Sequence, residues 1–281
     1  RSVAMTIFGD LDVTVMKGLP SGRKPVTTFV VDAGNAVWME RMWQRAREEI
    51  DGGGRVYIVC PRIDEDDHPD ELLEESTAPL ASVRATMEML AGVPSLSGVK
   101  AVSVTGKDSS EEKSAAMEAF SSGFAPILVA TTVIEVGVDV PEATMMIILD
   151  AQQFGLSQLH QLRGRVGRSS KQSICMAVHP SVISDTSAQR LEAFASSTDG
   201  FVLAEADLAL RREGDVLGSA QSGKASRLRF LSVVRDGAII EEARESAGEL
   251  IAADPSLASY PELAASLNDA SSEELVWMER S

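Results

Sequence analysis

Up to about Pro180 the chain alternates short aliphatic runs with longer amphipathic stretches, a rhythm that few architectures accommodate. The runs fall at Thr27 to Val31, Arg55 to Cys60, Lys100 to Val104, Pro126 to Ala130, Thr144 to Leu149 and Ser173 to Val178. Each is too short for a helix and apolar at nearly every position, which predicts strands buried on both faces. Between them, helices are predicted from about Asn35 to Ile50, near Ala81 to Leu90, and after Ser109-Ser110-Glu111-Glu112, where Ser109 and Glu112 have capping-box spacing. Strands alternating with helices imply an α/β fold: a parallel sheet with helices on both faces, and ligands gathered beyond the strands' carboxyl ends.

After Pro180 the pattern changes. Thr186 to Ser196, Ala204 to Arg212 and Glu241 to Ala253 carry helical periodicity with no strong strand between them, so a second, mainly helical region is expected. At 281 residues the soft prior is two domains, each able to bury its own core. Trp38, Trp43 and Trp277 are taken as packing residues rather than base-stacking platforms.

Chemistry concentrates in Gln158-Leu159-His160-Gln161-Leu162-Arg163-Gly164-Arg165-Val166-Gly167-Arg168. If this segment is helical through most of its length, Gln158, Gln161, Arg165 and Arg168 share one face, and Arg163 points elsewhere. A helix ended early by the glycines would put Arg168 on a loop. Gly164 and Gly167 let backbone approach a ligand closely, and arginine's planar fork takes two oxygens of a phosphate at once. Such an array suits polyphosphate. A solvated basic helix end would have no need of two glycines and a repeated arginine spacing.

Upstream, the Pro126 to Ala130 strand runs into Thr131-Thr132-Val133-Ile134-Glu135-Val136-Gly137-Val138-Asp139-Val140-Pro141. Two hydroxyls just past a parallel strand can contact a phosphodiester backbone, Gly137 permits close approach, and Asp139 can accept from a ribose hydroxyl. Alone, the segment also fits an ordinary strand-to-helix turn capped by threonine. Both arrays are expected at carboxyl ends of strands.

Together the two arrays resemble motifs V and VI of superfamily 2 helicases, and nearly the whole chain is similar to the C-terminal portion of the RecG branch-migration helicases. The resemblance is carried by Phe8-Gly9-Asp10-Leu11-Asp12-Val13, Leu19-Pro20-Ser21-Gly22-Arg23-Lys24-Pro25-Val26, Val56 to Ile63 and Phe154-Gly155-Leu156-Ser157. It continues in Ala206 to Gly218 and Gln221-Ser222-Gly223, which resemble the motif following motif VI. Departures are visible. Thr105-Gly106-Lys107 stands where the family has His-Gly-Arg, which keeps the positive charge but not arginine's two-pronged grip. Arg212-Glu213 replaces Gly-Pro, and Ser219-Ala220 replaces Thr-Arg, leaving Arg211, Arg212 and Lys224 as candidate substitutes for that arginine.

The resemblance implies a connection between motor lobes at 1–26, a second RecA-like lobe at 27–183, and a mainly helical region with a translocation motif at 184–281. It assigns Arg165 and Arg168 to the γ-phosphate of ATP, Arg168 as arginine finger, with Gln161, Gly137, Asp139 and Gly164 on the nucleotide. Thr131, Thr132 and Lys107 would contact DNA, and Arg211, Arg212 and Gln221 would take part in translocation. Implied partners are branched double-stranded DNA and, within one polypeptide, a first RecA-like lobe and a wedge domain. ATP and Mg²⁺ would be held mainly by that first lobe.

The sequence contains no Gly-x-x-x-x-Gly-Lys-Ser/Thr loop and no Asp-Glu-x-His-type cluster after a strand. It begins at Arg1, at a family position between the lobes, so the chain is expected to be cut from a longer protein and by itself inactive toward ATP. The net charge of −16 argues against DNA binding by the whole surface. Bases outnumber acids between Gly155 and Arg235, whereas Asp64-Glu65-Asp66-Asp67-His68-Pro69-Asp70-Glu71 is expected to be a solvated loop and lacks the glycine and ligand spacing of a calcium site.

Cys60 and Cys175 lie in separate apolar runs, as in reduced thiols of a cytoplasmic protein, and no cysteine or histidine spacing suggests a metal. No apolar run approaches the roughly twenty residues of a membrane span. Two other readings stay open: the motor of a transcription-repair coupling factor, and a non-catalytic interaction module.

Overall fold

The computed structural model describes residues 24–64, 79–132, 140–169, 171–210 and 237–265. The expected strands form as β1 (Thr27–Asp32), β2 (Arg55–Val59), β3 (Ala101–Val104), β4 (Ile127–Ala130), β5 (Ala143–Ile148) and β6 (Ile174–His179). They join in one sheet of order β1-β6-β5-β2-β4-β3, with every pairing parallel. A parallel sheet needs crossovers, and the amphipathic segments supply them as α1 (Ala36–Asp51), α2 (Val83–Ala91), α3 (Ser110–Ser122) and α4 (Leu156–Arg163).

Capping side chains fix where helices start. Asn35 accepts from the Trp38 amide at 3.2 Å, and Ser82 accepts from Ala85 at 3.1 Å. The capping box at α3 forms as its spacing predicts: Glu112 accepts from the Ser109 amide at 2.8 Å, and Ser109 Oγ accepts from Glu112 at 3.2 Å. At the other end of α3, Gly123 turns the chain with φ of 83°. There Arg55 donates through Nε to the Phe120 carbonyl at 3.0 Å.

Alternate strand residues enter opposite cores. Tyr57, Val59, Leu128, Met146 and Cys175 pack beneath α3 and α4, while Val56, Ile58, Val129, Ile147 and Met176 pack beneath α1 and α2. The first core extends to α5 (Asp185–Ser196), through Leu191 and Phe194, and to α6 (Gly200–Leu210), through Leu203. These two helices therefore cover the sheet, within the compact unit running from Lys17 to Leu210. The second unit contains α7 (Gly237–Ala253), followed by a turn in which Asp254 accepts from the Ser259 amide at 2.8 Å. Trp43 is buried as expected; Trp38 departs from the packing expectation, 52% exposed, and Trp277 lies outside the described residues.

Candidate functional site

Where the arginine segment ends decides the geometry. Helix α4 stops at Arg163, so Arg165 and Arg168 leave the helical face on which a continuous helix would have placed them with Gln158 and Gln161. Gly164 caps the helix with ordinary right-handed dihedrals, and Gly167 turns the chain away with φ of 76°, a left-handed conformation that suits glycine. A Cβ at Gly167 would sit 2.7 Å from Val26 Cγ2. Gln158 is occupied elsewhere, accepting from the Gly155 amide at 3.0 Å to cap α4. Gln161 remains on the exposed side of the helix.

Arg163 points the other way and is buried to 3% exposure. Its Nη1 donates to the Phe194 carbonyl at 2.7 Å and the Thr28 hydroxyl at 3.2 Å, while Nη2 lies 3.2 Å from His160 Nδ1. Burial, and secondly the neighbouring Arg163 charge, lower the His160 pKa and favour a neutral ring. Arg163 thus clamps the last turn of α4 to α5 and β1. Arg165 and Arg168 follow on the turn beyond it, and Arg168 Nε donates back to the Gly164 carbonyl at 3.2 Å.

The chain then enters β6 from its amino end. Gln172 bonds the Pro25 carbonyl at 2.9 Å and Lys171 reaches the Gly52 carbonyl at 3.3 Å, both just ahead of strands. Hence the arginine turn lies at the sheet's amino edge, which corrects the expectation that both arrays occupy carboxyl ends. The physical reason is directional: α4 runs antiparallel to the strands and carries its own C-terminus to the opposite edge.

Thr131 and Thr132 do stand at the carboxyl edge, directly past β4, Thr131 buried and Thr132 half-buried. Pairing of Val104 with Ala130 sets Thr105 beside Thr131, and the loop that follows carries Lys107. That loop is shaped by Asp108, which accepts from the Thr105 amide at 2.6 Å. Lys107 Nζ meets Asp64 at 3.1 Å, and Asp64 also meets Arg84 Nη2 at 2.9 Å. Arg84 and Asp64 were not among the sequence candidates; a basic residue in the first turn of α2 was the available signal. Gly137, Asp139, Arg211, Arg212 and Gln221 lie outside the described residues. Among the described residues no cluster of His, Cys, Asp or Glu is arranged to hold a metal ion, and no helix is long and apolar enough to cross a membrane.

A six-stranded parallel sheet of this order, covered by helices on both faces, is the RecA-like fold of a helicase motor's C-terminal lobe. Residues 41–170 match the family described as Helicase conserved C-terminal domain. Residues 197–273 match the family described as ATP-dependent DNA helicase RecG, domain 3, C-terminal, and the chain belongs to the RecG family.

The ATP-dependent DNA helicase RecG of Mycobacterium leprae is 44% identical over 87% of this chain and 33% of its own length. That of Aquifex aeolicus is 41% identical over 94% of this chain and 32% of its own. The chain thus spans about a third of the length of the curated relatives it matches. A solved structure of RecG bound to a three-way DNA junction is similar at TM-score 0.61 and 35% identity, covering 85% of this chain and 29% of that one. These relatives do not favour the coupling-factor or interaction-module readings.

Proposed function

We propose that this chain is the second motor lobe and following helical region of an ATP-dependent helicase. The enzyme moves on double-stranded DNA to reverse replication forks and migrate branched junctions. The observation that carries the proposal is the separation of an arginine turn from a hydroxyl-bearing loop by the full height of one rigid sheet. Phosphate chemistry at one edge and backbone grip at the other can then be driven by one body moving as a unit.

In the full-length enzyme a first RecA-like lobe and a wedge domain complete the sites. Bound ATP with Mg²⁺ supplies the phosphoryl group and neutralises part of its charge, and the first lobe provides most of the residues that hold them. Arg165 and Arg168 face the γ-phosphate across the lobe boundary, with Arg168 as the finger that stabilises developing negative charge. Gln161, Gly164, Gly137 and Asp139 serve the nucleotide side. Thr131, Thr132 and Lys107 hold the DNA backbone, and Arg211, Arg212 and Gln221 belong to the element that steps along it.

The experiment is ATP hydrolysis by the full-length enzyme on forked DNA against linear duplex of equal length, with Arg168→Ala alongside. Fork-dependent turnover abolished by the substitution is the expected result. Turnover indifferent to forks would turn the reading toward a polymerase-coupled motor, and no turnover in the unsubstituted enzyme would turn it toward a scaffold.

A further inference from the structure

The acidic run that begins at Asp64 has no part in the function above, yet its first residue sits among the cations of the carboxyl edge. Asp64 follows β2, Lys107 follows β3, and Arg84 lies in the first turn of α2. The Asp64 carboxylate divides its two oxygens between them: Oδ1 meets Arg84 Nη2 at 2.9 Å and Oδ2 meets Lys107 Nζ at 3.1 Å. Strands β2 and β3 are the two neighbours of β4, which ends at Thr131 and Thr132, so this bridge spans the same edge as the threonines.

An anion held between two cations by two separate oxygens has the contact pattern of a phosphodiester. We infer that Lys107 and Arg84 form a subsite for a backbone phosphate of nucleic acid, which Asp64 occupies until DNA displaces it. The inference rests on the proposed function and adds a residue, Arg84, and a form of self-competition to its DNA-binding edge.

Exposure makes displacement feasible. The side chains are 71% exposed at Arg84 and 57% at Lys107, with Asp64 at 29%, so both pairs are screened by solvent and held weakly. A phosphate brings charge to the same two donors and releases counterions from the DNA as it binds, a gain that Asp64 cannot match. Arg84 is also the better matched cation, since its fork can take two phosphate oxygens where Lys107 gives a point charge. The first turn of α2 adds the favourable end of a helix dipole.

The test is fluorescence anisotropy of labelled duplex DNA with the 281-residue chain across a salt series, folding being followed by circular dichroism. Asp64→Asn should tighten binding about three- to tenfold at low salt and steepen the salt dependence by nearly one phosphate's worth. Adding Arg84→Ala or Lys107→Ala to Asp64→Asn should remove that gain. Unchanged affinity in Asp64→Asn, including no binding in either protein, would overturn the inference. So would a gain that survives both alanine substitutions.

Inorganic phosphate at equal phosphate concentration distinguishes the sources. Competition as strong as that of unlabelled DNA would mark a general anion site and overturn the assignment to nucleic acid. Fork-stimulated hydrolysis by the full-length enzyme stands or falls separately, so failure here leaves the motor reading intact.

Discussion

Arg163 holds Phe194 twice, donating from Nη1 to its carbonyl at 2.7 Å and lying with its guanidinium 4.5 Å from the centre of its ring. One side chain thereby ties the end of α4 to α5. Arg163→Met keeps much of the volume but leaves that carbonyl unsatisfied, and should cost about 1–3 kcal/mol. A urea titration reads this as a lower midpoint with unchanged slope. A loss below the error of the fit would mean that the pairing adds nothing beyond packing.

Arg55 should matter out of proportion to its exposure, because it satisfies carbonyls at the ends of two helices, α1 and α3. It donates to Phe120 at 3.0 Å, Gly53 at 2.9 Å and Gly54 at 3.1 Å. Arg55→Ala is expected to cost about 1–2 kcal/mol. Gly123→Ala should cost about 1 kcal/mol or more, since φ is 83° and the new Cβ would press on the Arg55 guanidinium. Thermal unfolding of both variants checks the pair, and an Arg55→Ala protein as stable as the parent would dismiss the capping role.

The α3 capping box predicts a pH dependence. The Ser109 amide, followed by its hydroxyl, lowers the Glu112 pKa from its ordinary 4.5. A carboxylate lowered by folding contributes stability that is complete above the unfolded value and is lost as pH falls through the folded one. The thermal midpoint of the parent should exceed that of Glu112→Gln at pH 6, and the two should converge as pH drops below about 4.5. A gap constant with pH would trace the effect to something other than the carboxylate's charge.

The thiols should be inert until the sheet opens. Burial pushes Cys60 and Cys175 up to about 12, and neither thiol ionises at neutral pH. Alkylation by iodoacetamide at pH 8 should therefore track the unfolded fraction through a urea series. Raised pKa values also mean that stability is complete below the unfolded thiol's value of about 8.5 and declines as pH rises from there toward 12. Rapid labelling without denaturant would contradict the burial of both residues.

How much of this could be read in advance differs from residue to residue. Val56 to Val59 and Ile127 to Ala130 announce buried parallel strands because both faces are covered and almost every position is apolar. Ser109 and Glu112 announce a helix start because both capping bonds are local. Arg163 could not announce its burial, since its partners Thr28 and Phe194 are distant in sequence and meet it only through packing. The edge occupied by Arg165 and Arg168 was equally hidden. Periodicity says which way a residue faces around α4, but the early stop at Arg163 and the antiparallel run of the helix decide which end of the sheet it reaches. Asp64 was concealed in another way: within a run of carboxylates, nothing local distinguishes the one that meets Lys107 and Arg84.

Because the arginine turn and the threonine loop stand at opposite edges, their substitutions should separate two properties of the full-length enzyme. With Arg168 in the proposed role of arginine finger, Arg168→Ala should lower turnover about a thousandfold or more. Its DNA affinity should stay within about twofold, since the substitution leaves the groups proposed to hold the DNA backbone in place. Thr132→Val keeps the shape but removes the hydroxyl, and is expected to weaken DNA binding about three- to tenfold, one neutral hydrogen bond. Hydrolysis at saturating DNA should then recover. Steady-state ATPase titrated with DNA gives both quantities in one experiment, as the maximal rate and the half-saturating DNA concentration. Equal losses of rate and DNA affinity in Arg168→Ala would mean that the two edges do not divide the work, and that the arginine turn also holds DNA.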